Sequence, residues 1–318
     1  MSFNVTFLGS GAALPTAKRS TTAQYLVCNN RYILIDCGEG TQTQIRKFGL
    51  KLQKISHILI SHLHGDHFFG LPGLLSTMNL LGRNQGITVY GHPNLENLLH
   101  GMLEAGKNKL TFAINFVPLQ YKDEQVIFED RVIAISSFPL NHRIETCGFK
   151  IQEKRKDYQL DASSIKNSGL LIQHFPLLKK GQNIQLENGE LRNFEDFTLP
   201  PKPSYSYAFC SDTKPNQQII PSITNVDLLY HEATFVEADL ERAKMTFHST
   251  ATQAATVAKE ANVKKLILGH FSSRYENADL HLKEAKTVFQ NTLIAEDGLV
   301  IDLERNYSSS IPIETLKL

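Results

Sequence analysis

The chain has 318 residues, 42% of them hydrophobic and 20% charged, with a formal net charge of +1. This is the balance of a globular protein long enough to bury a large core, and no run of about 18 apolar residues is present to suggest a membrane span. Near-neutrality excludes a polycation, so an anionic partner must be held by a local basic patch.

The amino terminus has no basic leader and reads as a strand over residues 5–8. Strands are predicted at 32–35, 58–60 and 87–90, where β-branched and aromatic residues concentrate. Helices are predicted at 40–48, after the turn Cys37-Gly38-Glu39-Gly40, and at 73–81. Strands resume at 132–135, 207–210, 228–230 and 266–268, with a long helix at 249–261 before the last of them. Strands and helices mixed in both halves predict an α/β sandwich, one domain over 1–318. Residues 151–203 break the rhythm with Gly169, Pro176, Gly181 and Pro200-Pro201-Lys202-Pro203. Within 150–181, seven Lys and Arg face three Asp and Glu, so the insertion is either a solvated surface element or a substrate-gripping arm. Four widely spaced cysteines, Cys28, Cys37, Cys147 and Cys210, form no CxxC pair and read as buried thiols of a reducing compartment.

The densest chemistry is His62-Leu63-His64-Gly65-Asp66-His67, directly after the apolar run Ile58-Leu59-Ile60. A strand ending in such a cluster presents several ligands together, and Gly65 lets the backbone turn between them. Neutral imidazoles with a carboxylate suit a borderline cation such as Zn²⁺. His142, Asp212 and His270 each follow another strand-like run and are candidates for the same edge of the sandwich.

His-x-His-x-Asp-His after a strand resembles the signature of the metallo-β-lactamase superfamily, which implies a four-layer αββα sandwich. Other segments resemble the ribonuclease Z family, endonucleases that trim 3′ trailers from precursor tRNA. They are Ile35-Asp36-Cys37-Gly38-Glu39-Gly40-Thr41-Gln42, Phe138-Pro139-Leu140-Asn141-His142, Cys210-Ser211-Asp212-Thr213, His231-Glu232-Ala233-Thr234-Phe235, His248-Ser249-Thr250 and His270-Phe271-Ser272-Ser273-Arg274-Tyr275. The resemblance implies two Zn²⁺ per subunit. His62, His64 and His142 would hold one ion, Asp66, His67 and His270 the other, with Asp212 bridging. It also implies attack of metal-activated hydroxide on a phosphodiester, with Asp66 as proton acceptor and His248 as donor to the leaving 3′ oxygen. Glu232 is a candidate to orient His248, Asp36 to support a metal histidine, and His231 to serve structure.

Lys18, Arg19 and Arg274 are candidate phosphate contacts near the active site. In the arm, Lys154, Arg155, Lys156, Lys179 and Lys180 are candidates for salt-dependent gripping of tRNA. The resemblance implies a cytoplasmic homodimer, with no membrane attachment. The sequence departs from the family at Ser20, where Asn is usual. It departs again at the arm, where Leu178-Lys179-Lys180-Gly181 is kept without the preceding Gly/Pro-rich run. A metal-dependent hydrolase of small phosphodiesters and a non-catalytic RNA-binding scaffold are the competing readings. Retention of all seven ligand positions favours an enzyme over the scaffold.

Overall fold

In the computed structural model, which describes residues 3–107, 109–305 and 307–311, the apolar runs form two large sheets. The first begins with β1 (Phe3–Gly9), β2 (Ala23–Cys28), β3 (Arg31–Ile35), β4 (His57–Leu59), β5 (Ile87–Gly91) and β6 (Ile114–Pro118). The second holds β7 (Gln125–Glu129), β8 (Ile133–Pro139), β9 (Cys147–Glu153), β10 (Ser206–Cys210), β11 (Leu228–Glu232), β12 (Leu266–Gly269) and β13 (Thr292–Ile294). β14 (Leu299–Asp302) and β15 (Tyr307–Ser310) return to the first sheet. The spatial orders are β15-β14-β1-β2-β3-β4-β5-β6 and β13-β12-β11-β10-β9-β8-β7. Each sheet is antiparallel at one side and parallel at the other, the change falling at β3–β4 and at β10–β11.

Side chains alternate between two buried faces, which is why the strands read as continuous apolar runs. Val5, Phe7, Ile33 and Ile35 point between the sheets and meet Ile135, Phe149, Phe209 and Ile267. The opposite face of the first sheet, through Leu8, Leu34 and Ile58, meets Ile45, Leu74, Met78 and Leu99. These come from α1 (Thr41–Lys47), α3 (Leu71–Leu80) and α4 (Asn94–Ala105), with the single turn α2 (Gly65–Phe68) between the first two. Beyond α5 (Leu240–Thr246), α6 (Ala251–Glu260) and α7 (Asp279–Val288) cover the outer face of the second sheet through Ala254, Ala258 and Ala285. Each fully buried Leu or Ile stabilises such layers by roughly 1.5–3 kcal/mol, so the four-layer αββα stack is the arrangement that satisfies both sheets.

The structure moves several expected boundaries. The helix expected at 73–81 is α3, starting at Leu71, because Pro72 occupies its first turn, where a missing N–H costs no helical bond. The helix expected at 249–261 starts after Thr250, whose hydroxyl accepts from the Gln253 amide in a capping box. The strand expected at 132–135 continues to Pro139, carrying the chain towards His142. Between β9 and β10 the chain makes two short pairs, Gln159–Leu160 with Thr198–Leu199 and Ile184–Gln185 with Leu191–Arg192. They surround a small apolar cluster of their own, centred on Leu178, Ile184 and Phe197. All four cysteines are free and buried.

Candidate metal centre

β4, β8, β10 and β12 each end at one edge of the sandwich, and the residues just past them carry the charge-bearing side chains. β4 leads to His62, His64, Asp66 and His67, β8 to His142, β10 to Asp212, and β12 to His270. Alongside a grouping of Asp212, His248 and His270, two donor groups form, His62–His64–His142–Asp212 and Asp66–His67–His270, each with its ligand atoms within 4.8 Å of one another. Asp212 lies between them. Its Oδ2 is 3.6 Å from His62 Nε2 and 3.7 Å from His142 Nε2, while its Oδ1 is 3.3 Å from His67 Nε2 and 3.2 Å from His270 Nε2. Asp66 Oδ2 completes the second group at 3.4 Å from both His67 Nε2 and His270 Nε2. All seven ligand residues expected from the sequence are thus brought together.

Outer contacts fix which ring nitrogen faces inward. His142 Nδ1 donates to the Phe247 carbonyl at 2.9 Å, and His67 Nδ1 lies 2.7 Å from Asp36 Oδ2. His270 Nδ1 lies 3.0 Å from the Thr234 hydroxyl. In each case Nε2 is left for the centre, the usual device for aiming a ligating imidazole. Asp36 also accepts from the amide and hydroxyl of Ser61, both at 2.8 Å. The Ala13 amide donates to Asp66 Oδ2 at 2.8 Å. His231 is buried beneath the site, with Nδ1 donating to the Glu232 carbonyl at 2.7 Å.

Electrostatics fit a cation. Burial pushes the Asp212 carboxyl up, but His270, His67 and His62 around it hold it well below the usual carboxylate range. Asp66 is likewise held low by His67 and His270 against its burial. Burial, reinforced by His67, depresses His62 to about 3, so its imidazole is neutral at neutral pH. Burial likewise lowers His64 and His142, whereas at His67 the Asp212, Asp66 and Asp36 carboxylates outweigh burial and raise the pKa well above its ordinary value. Ionised carboxylates interleaved with imidazoles are a donor set for a divalent, borderline-soft ion.

Beside these groups stands His248. Its Nδ1 lies 3.0 Å from Glu232 Oε1, and the same carboxylate accepts from the amides of Ser249 and Thr234. Burial lowers the His248 pKa, but the Glu232 charge and hydrogen bond dominate and raise it to about 9. The imidazole is therefore protonated at neutral pH. Thr234 Oγ1 contacts Glu232 at 2.8 Å, His248 at 3.2 Å and His270 at 3.0 Å, tying the acid to the donor groups. No role for Thr234 or the Ala13 amide was legible in the sequence, because both act through contacts between distant segments.

A cleft of about 540 Å³ opens over the centre, walled by Asp66, His142, Asp212, His248 and His270. Of the expected phosphate contacts, Arg274 lines it, while Lys18 and Arg19 are not among its lining residues. Lys18 pairs with Glu276 at 3.1 Å, and Arg19 donates to the Tyr275 carbonyl at 3.0 Å. Arg143 and Arg242, which sequence inspection passed over, also line the cleft. The arm cations lie elsewhere. Arg155, Lys156, Lys179 and Lys180 surround a separate hollow of about 320 Å³. Several of the arm cations are ion-paired: Lys154 with Glu129 at 2.7 Å, Lys156 with Glu153 at 2.8 Å and Lys180 with Asp157 at 2.9 Å.

A family model described as anti-Pycsar protein Apyc1 matches residues 3–169. A ribonuclease Z of Bacteroides fragilis is 41% identical over 301 residues, covering 95% of this chain and 99% of the relative. The chain belongs to the ribonuclease Z family. Among solved structures, human tRNase Z, short form, matches at 31% identity and a TM-score of 0.69, covering 98% of this chain and all of the human one. The metallo-β-lactamase fold protein YhfI from Bacillus subtilis, 20% identical with a TM-score of 0.67, covers 95% of this chain and 100% of its own. The αββα stack is thus the metallo-β-lactamase fold, as the His62–His67 motif implied.

Proposed function

We propose that the chain is a zinc-dependent endoribonuclease that removes 3′ trailers from precursor tRNA, leaving a 3′-hydroxyl on the tRNA. The supporting observation is a pair of donor groups sharing Asp212 beside a Glu232-held His248, in a member of the ribonuclease Z family. His62, His64 and His142 would hold one Zn²⁺ and Asp66, His67 and His270 a second, with Asp212 common to both. When bound, paired zinc ions lower the pKa of water and take up charge on the phosphoryl oxygens.

The remaining chemistry belongs to side chains. Asp66, ionised and fixed by the Ala13 amide, accepts the proton of the attacking water. His248, protonated at neutral pH, donates a proton to the ribose O3′ as the P–O3′ bond breaks. Such general acid catalysis contributes about 10²–10⁴-fold. Arg274 meets phosphate in the cleft. The segment 151–203 acts as the tRNA-gripping arm, with Arg155 and Lys179 as its phosphate contacts and its ion-paired lysines in support.

The working form is a cytoplasmic homodimer. Exposed Leu80, Leu81, Leu98 and Met102 on and beside α3 and α4 supply an apolar surface for the partner, and four free buried thiols suit a reducing compartment. Among the described residues no helix is long and apolar enough to cross a membrane.

Mapping the cut on precursor tRNA, beside a chromogenic phosphodiester, tests the assignment. Cleavage at the trailer junction, with about two zinc ions per subunit by metal analysis, is expected. Turnover of the small ester with the precursor left intact would sink the ribonuclease reading.

A further inference from the structure

The chain reads Phe68-Phe69 at the end of α2, and the two rings, edge to face with centroids 4.9 Å apart, differ in burial. Phe68 is 5% exposed and packs in the core between the first sheet and its helices. Phe69 is 55% exposed, and it lines the metal cleft three residues after Asp66. Across the loop that holds Asp66 stands Leu14, 61% exposed and lining the same cleft. The ring is not loosely placed. A methyl group on Gly65 would sit 2.2 Å from Phe69 Cε2, so the ring lies directly against that glycine's backbone. Gly65 thus allows more than a turn between ligands: it makes room for an aromatic surface beside the catalytic carboxylate.

The cleft walls differ in chemistry. Arg143, Arg242 and Arg274 contribute cations, while Leu14 and Phe69 contribute apolar surface. Arg143 is braced by the Met245 carbonyl at 2.8 Å, and the Arg274 guanidinium lies 5.3 Å from the Phe235 ring centroid. A single nucleic-acid strand has the same division: a charged backbone on one side and flat π faces on the other. Aromatic side chains left in water beside a backbone-binding groove take bases by stacking, whatever the base.

We propose that Phe69, with Leu14, is a nucleobase subsite that stacks a base next to the scissile phosphate. The arginine wall takes the neighbouring phosphates. The subsite rests on the endoribonuclease reading and adds a determinant for how the strand lies in the cleft. It fixes the sugar-phosphate backbone relative to Asp66 without reading sequence.

The test uses the full-length chain carrying Phe69→Ala or Phe69→Trp. Substrates are a precursor tRNA and the same precursor made abasic, in turn, at each nucleotide flanking the cut. With the intact precursor, Phe69→Ala should lower kcat/KM on the order of tenfold and Phe69→Trp should restore it. On the precursor abasic at the stacked position, wild type and Phe69→Ala should cleave equally, with metal content the same in both proteins. Loss of the same size on intact and both abasic precursors would mean that Phe69 acts through the fold, and overturns the proposal. No loss on the intact precursor overturns it too. A wild-type chain that leaves every precursor whole overturns the endoribonuclease reading itself, an outcome read from the wild-type lane before any variant is compared.

Discussion

Asp36 Oδ2 stands 2.7 Å from His67 Nδ1, and Asp36 is itself in the left-handed backbone region at φ 54°. A non-glycine residue in that region is strained and persists where its surroundings over-determine it. Here the surroundings are Ser61, which donates twice to the carboxylate, and His67, which the carboxylate aims inward. Asp36→Asn keeps the shape and removes the charge. Zinc affinity measured by chelator competition should fall about 10–100-fold. Unchanged affinity would mean that His67 is oriented by its helix turn alone.

The Glu232–His248 pair gives a pH prediction. As a proton donor His248 must be protonated, so kcat should decline as pH rises through its folded pKa of about 9. Burial alone lowers that pKa from 6.5, and the Glu232 carboxylate is what raises it. In Glu232→Gln the raising influence is gone and the alkaline limb of the kcat profile should move to lower pH. Profiles of the two proteins that superimpose on the alkaline side would rule out His248 as the acid.

Glycine substitutions should act with opposite signs at two positions. A methyl group at Gly70 would lie 2.0 Å from the Gly38 carbonyl oxygen, which is backbone and cannot swing away. Gly70 donates to the Cys37 carbonyl at 2.9 Å, and Cys37 donates to the His67 carbonyl at 2.7 Å, so prying this contact open also disturbs the ligand turn. Gly70→Ala should cost about 1–3 kcal/mol and reduce bound metal. Gly101 sits within α4 with nothing near the added carbon, so Gly101→Ala should stabilise by about 0.5–1 kcal/mol. Denaturant midpoints of the two variants, displaced in opposite directions, are the check.

His281, on α7, packs edge-on against the Phe271 and Tyr275 rings. Burial, reinforced by the Arg19 charge, lowers its pKa from 6.5 to about 4. The unfolded chain therefore binds the proton more readily than the folded one between those values. Stability is fully present above pH 6.5 and is lost as pH falls towards about 4, by up to roughly 1.4 kcal/mol per pH unit. His281→Leu should flatten this part of the stability profile. Urea midpoints at pH 7 and pH 5 that shift equally in both proteins would show that the acid sensitivity arises elsewhere.

What could be read in advance follows from the range of each interaction. The strand carrying residues 5–8 and the helix over 249–261 were legible because their apolar periodicity and caps are local. β2 was passed over although Ala23–Cys28 is almost wholly buried, since a short mixed run flanked by polar turns has no distinctive period. α4 and α7 were missed as well. His62, His64, Asp66 and His67 were legible because they form a compact motif after a strand, whereas His142, Asp212 and His270, scattered along the chain, were joined to them only by the family resemblance. Their outer partners were less so. Ala13 reaches Asp66 through a backbone amide, and Phe247 reaches His142 through a carbonyl, so neither contact depends on a recognisable side chain. Lys18 and Arg19 were candidates because their loop resembles a family segment near the RNA. In the fold Lys18 pairs with Glu276 and Arg19 donates to the Tyr275 carbonyl.

The spread of the donor groups along the chain also governs when they can exist during translation. Asp212 touches both groups and His270 closes the second, so a nascent polypeptide ending before β12 lacks both the complete set and one of the two parallel neighbours of β11. The first sheet is unfinished as well, because β1 pairs with β14, formed by residues near the carboxyl end. The complete donor set therefore assembles late in synthesis, only after β12 has followed the earlier donor-bearing loops out of the ribosome.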